Sequence, residues 1–81
     1  MRYKREVLEE LARHGLRPGP HTSPELLRKQ IHDLYLHEIR ALRDRCRAGE
    51  FPPRELAGHV VELRRRYVLL STPESKWLQG E

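Results

Sequence analysis

Apolar residues recur along this chain at helical spacing, in two long stripes. Leu27, Ile31, Leu34, Tyr35, Ile39, Leu42 and Cys46 form the first, and Leu56, Val60, Leu63, Tyr67 and Leu70 form the second. An α-helix places each set on one of its sides. Between the stripes, Ala48-Gly49-Glu50-Phe51-Pro52-Pro53 carries a glycine suited to stop one helix and a proline pair suited to open another. The pattern predicts a helix over 23–48, a reversal near Phe51 and a helix over 53–70. A chain doubled back at Phe51 sets Cys46 against Leu56, Leu42 against Val60 and Leu34 against Val68. It also brings Glu38 level with Arg64.

Shorter elements flank this pair. Tyr3, Val7, Leu8 and Leu11 mark the apolar side of a helix over 2–14, which Gly15 is placed to end. A helix this short needs something to dock on. Two prolines and two glycines make 15–22 a linker, with Leu16 available to pin it to the core. Thr22-Ser23-Pro24-Glu25 is a helix start, with a capping hydroxyl, a proline for the first turn and an acid three residues after Thr22. Ser71-Thr72-Pro73-Glu74 repeats that logic and opens a short turn over 73–78, from which Trp77 is expected to pack back on the helices. The expected fold class is all-α: a long antiparallel helical hairpin with a short N-terminal helix and a short C-terminal helical turn, making one small helical domain over 1–81.

Composition narrows the picture. A chain of 81 residues has a limited core and gains from a partner. Charged residues make up 35% of it and the net charge is +4, so much of the surface is wet and slightly basic. Arginine accounts for thirteen of the sixteen cations, and its planar head suits carboxylate or phosphate. The interspersed glutamates point first to an ion-paired surface. Cys46 is the only cysteine, which excludes an intrachain disulfide and a cysteine zinc site and suggests a small core residue. No apolar run approaches the ~18 residues of a membrane span, and the first residues lack the apolar stretch of a signal peptide. The expectation is a cytoplasmic protein with no membrane association.

Glu38 is the sharpest single residue, because a lone carboxylate inside an apolar stripe is costly. The expectation is a structural ion pair, Glu38 with Arg64, that sets helix register. Weaker alternatives have it face a dimer partner or serve as a catalytic or metal carboxylate. Asp33 and His37 share a helix face and could form half a metal site, with His32 nearby and His59 reachable only across an unestablished contact. A solvated face explains them better, so no metal or cofactor is expected. No serine lies beside a base, no glycine-rich loop could cradle phosphate and no carboxylates pair in a pocket, so no catalytic residue is expected and the chain is read as no enzyme.

Leu26, Leu36, Val61 and Val68 fall off the main seam and are the interface candidates. A second copy could cover them by building a four-helix arrangement. The expected function is therefore a small non-enzymatic protein-interaction or assembly module, acting as a homodimer or complex subunit through a protein partner. The alternative is a nucleic-acid or other polyanion-binding protein. It would use Lys29, Arg40, Arg43 and Arg47, which form one stripe on the second helix that Arg54 and Arg65 could extend. No aromatic platform or helix-turn-helix spacing supports that alternative.

Overall fold

Val7 and Leu11, one helical turn apart, are the buried positions of the first helix, α1 (Arg5–Arg13). At its end Gly15 adopts φ +75°, and the amides of Gly15 and Leu16 donate back to the carbonyls of Ala12 and Leu11. This is the Schellman closure that a left-handed glycine permits. In this computed structural model, which describes residues 2–79, the helix starts three residues later than the expected 2–14. Residues 2–4 are extended instead: the Lys4 amide donates to the Trp77 carbonyl and the Gln79 amide to that of Arg2, each at 2.9 Å. Backbone groups paired across the chain ends cannot also turn a helix.

The second helix, α2, runs Pro24–Arg47. Ser23 opens it, its hydroxyl accepting from the Leu26 amide at 3.2 Å. Thr22 serves the linker instead, accepting from the Gly19 amide at 2.8 Å. The far end repeats the Schellman closure, with Gly49 at φ +83° and the Gly49 and Glu50 amides returning to Cys46 and Arg45. Twenty-four residues make a rod of about 36 Å.

The expected helix over 53–70 is shorter and broken. A 3-10 turn, Pro53–Glu55, leads into α3 (Leu56–Arg66), and Tyr67 leaves helical geometry at φ −106°, ψ 54°. Two further 3-10 turns follow, Val68–Ser71 and Glu74–Lys76. The break buries Leu69 beside Tyr67, while Leu70 stays partly buried against the core: Leu69 is 3% exposed and Val68 is 49% exposed. Residues two apart cannot share a helix face, so burying both Tyr67 and Leu69 requires the helix to end. Arg28 of α2 reinforces the break. Its guanidinium donates to the carbonyls of Leu69, Leu70 and Thr72, the closest two at 2.8 Å, and lies 4.0 Å from Glu74.

The fold is all-α, with no strand among the described residues. Its core gathers Tyr3, Val7, Leu11, Leu27, Ile31, Leu63, Tyr67, Leu69 and Trp77, with Leu16 packed against it as expected. Trp77 is fully buried, and its indole N–H donates to the Thr72 carbonyl. The Tyr3 hydroxyl donates to the Thr22 carbonyl at 2.5 Å and ties the linker down. These residues come from α1, the first half of α2, the end of α3 and the terminal turns. The outer half of α2 extends past them, with Ile39 and Leu42 still packed against the core, in a body measuring 50 × 18 × 16 Å. There the buried residue is Phe51, held between His59 and Arg45 with ring and guanidinium centres 4.2 and 5.9 Å away. Cys46, expected in the core, is only half-buried, because no third element reaches it. Leu8 and Leu34, placed on apolar sides by spacing, are exposed.

Candidate interaction face

Packing between α2 and α3 divides their surface into two flanks. On one, Glu38, Ala41, Leu42 and Arg45 face His59, Leu63 and Arg66 across a groove. Glu38 anchors it, accepting a hydrogen bond from the Tyr67 hydroxyl. The Tyr67 ring is stacked on by His14 at 4.3 Å and met edge-on by Tyr35 at 5.3 Å. His14 Nε2 lies 3.1 Å from the Arg66 carbonyl, which can only accept, so that nitrogen carries the proton. Burial and the adjacent Glu38 carboxylate push the Tyr67 hydroxyl well above the ordinary phenol range. Burial raises that of Tyr3 as well.

The expected pair of Glu38 with Arg64 is not formed. The level partner of Glu38 is Tyr67, one turn further along the chain, and Leu42 lines the groove with Leu63. Arg64 is exposed and joins no ion pair among the described residues. Tyr67 keeps the inward place that its stripe with Leu63 predicts, and its hydroxyl meets Glu38 where a guanidinium was expected. Spacing gave no warning of Arg28 either. The available signal was its place beside Leu27 and Ile31 on the wheel, where a long cation can reach over the seam.

The opposite flank differs in chemistry. With 100° between successive residues, Leu36, Ile39, Arg43, Cys46 and Arg47 of α2 lie on the side away from the groove, with Arg40 at its edge. Leu56, Ala57, Val60, Val61 and Arg64 of α3 do the same. Leu36, Ile39, Cys46, Leu56 and Val60 are half-buried, and Val61 is 48% exposed. Within these stretches the acids are Glu38, Asp44 and Glu62, and all three fall on the groove side or the back. Arg40, Arg43, Arg47 and Arg64 are exposed and join no ion pair among the described residues. The groove side instead pairs its charges locally, Arg45 with Glu50 at 3.3 Å and Arg65 with Glu62 at 2.9 Å.

The sequence candidates therefore sort in an unexpected way. Leu36 and Val61 share one flank with Arg40, Arg43 and Arg47, although they stood for rival functions. Leu26 and Val68 are each about half exposed but lie elsewhere, Leu26 on the first turn of α2 and Val68 against α1 residues such as Val7 and Glu10. Lys29 is also apart, beside Arg28, His32 and Glu74. His32, Asp33 and His37 are exposed, and no group of three or more His, Cys, Asp or Glu gathers to hold a metal among the described residues. No described helix is long and apolar enough to cross a membrane. No family model, curated protein or solved structure matches this chain.

Proposed function

We propose that this chain is a small, non-enzymatic protein-interaction module built as one domain. In this reading α2 and α3 form an antiparallel hairpin, the core-bearing half is a base, and the outer half is an arm that docks a partner. The observation supporting it is the row of half-buried apolar residues on the flank away from the groove, Leu36, Ile39, Cys46, Leu56 and Val60, whose outer sides stay open to solvent. Such a strip is stabilised by gaining a further layer, at roughly 25 cal/mol per Å² of apolar surface removed from water. The partner is either a second copy, giving a homodimer, or another subunit of a complex. The proposed setting is the cytoplasm, where a lone thiol such as Cys46 stays reduced.

A photoreactive benzoylphenylalanine placed at Val61 tests the reading in the native cell. A discrete adduct is expected from position 61 and none from Glu62, which lies on the other flank. No adduct from position 61, or the same adduct from both, refutes it. A second reading, nucleic-acid or polyanion binding, is favoured by the exposure of Lys29, Arg40, Arg43 and Arg47. It predicts retention on heparin that falls steeply with salt.

A further inference from the structure

We propose that the partner seated on this flank is an acidic amphipathic helix of another protein, not a second copy of this chain. The inference rests on the interaction reading above and adds the chemistry of the partner. Charge complementarity carries it. Arg40, Arg43, Arg47 and Arg64 lie around a strip of Ile39 and Val60, and the one carboxylate beside them, Asp44, three residues before Arg47 and four after Arg40, can answer at most one of the four guanidinium groups. Asp44 forms no ion pair among the described residues, and the other two acids are engaged elsewhere, Glu62 by Arg65 and Glu38 by Tyr67.

A second copy docked face to face would set this arginine border against itself. Like charges opposed in a drying interface oppose association and select against that partner. A helix with an apolar ridge and Glu or Asp along both edges satisfies both parts of the flank at once. The ridge fills the seam over Ile39 and Val60, and each carboxylate meets a guanidinium in the bidentate geometry arginine favours. Residues 36–47 of α2 span about 17 Å, enough to seat about three turns.

The other polyanions match less of the surface. A nucleic acid offers phosphates to the arginines but nothing to the aliphatic strip, and residues 36–47 and 56–64 present no aromatic ring on this flank for a base to stack on. An anionic bilayer would reach exposed Val61 but not Ile39 and Cys46, which sit half-buried in the seam.

Fluorescence anisotropy with the full chain and two labelled peptides tests the proposal. Each peptide has about sixteen residues with leucines at helical spacing; one carries Glu along the edges and the other Lys. The acidic peptide is expected to bind about tenfold or more tighter than the basic one. The charge-reversed double variant R43E/R64E, whose altered positions are exposed, is expected to reverse that preference while melting close to the parent. Equal binding of the two peptides, no binding of either, or a preference unchanged in R43E/R64E overturns the proposal. A dimer mass in light scattering that Val61→Glu reduces to monomer also overturns it, yet leaves the interaction reading standing. Binding of duplex DNA or anionic phosphatidylglycerol vesicles with neither peptide held defeats both.

Discussion

Tyr67→Phe removes one hydroxyl from the buried ring and leaves its stacking with His14 and Tyr35 in place. What is lost is the hydrogen bond donated to the Glu38 carboxylate. A bond to a charged acceptor contributes about 1.5–3 kcal/mol in a dry setting. Glu38 is only half-buried and has open grooves on both sides, so water can replace much of the donor. The expected cost is about 1–2 kcal/mol. For a domain of this size, ~1.5 kcal/mol lowers Tm by about 6–12 °C. Arg64→Ala removes an exposed side chain without an ion-pair partner and is expected to stay within about 0.5 kcal/mol of the parent. Thermal and urea denaturation of the two variants, of Glu38→Ala, and of Tyr67→Phe combined with Glu38→Ala, give the coupling energy directly. The reasoning fails if Arg64→Ala costs as much as Tyr67→Phe, or if the Tyr67 and Glu38 changes simply add.

Other perturbations probe separate parts of the fold. Arg28→Met leaves the carbonyls of Leu69, Leu70 and Thr72 without their shared donor, and should cost about 1–3 kcal/mol; hydrogen exchange should speed up first at residues 70–77. Gly15→Ala and Gly49→Ala each force a side chain into left-handed backbone and should each lower stability by about 1 kcal/mol in urea melts, although open space surrounds both positions. At high pH the raised tyrosines matter: Tyr67 and Tyr3 keep their protons when folded, whereas the unfolded chain releases them near pH 10. Stability should therefore hold below about pH 10 and fall as pH rises beyond it, and Tyr67→Phe should flatten that decline in a pH series of Tm values.

Local chemistry made much of the architecture legible. Gly15 and Gly49 end helices because a left-handed residue closes the last carbonyls wherever the helix sits. A capping hydroxyl just before Pro24 is legible in the same way, although the choice of Ser23 over Thr22 was not, because Thr22 is drawn to the Gly19 amide of the linker. The turn of Trp77 back onto the core follows from the size of its apolar surface. Each effect acts within a few residues or depends on side-chain type alone, so each can be read without coordinates.

Other features depend on which groups compete for the same space. Helical spacing favours Leu70 over Leu69, yet burying Leu69 with Tyr67, and giving three carbonyls to Arg28, stabilises the break that ends α3 at Arg66. Tyr67, inward by its spacing from Leu63, becomes the partner of Glu38, and Arg64 stays exposed. The same packing gathers Leu36, Val61, Arg40, Arg43 and Arg47 onto one flank, a grouping absent from either helix read alone. Sequence by itself determined that three helices form, the glycines that end the first two and most of the residues that build the core. Tertiary structure alone decided register, rotation about each helix axis and the identity of each polar partner, because those quantities minimise the energy of the whole packed chain and have no local signal.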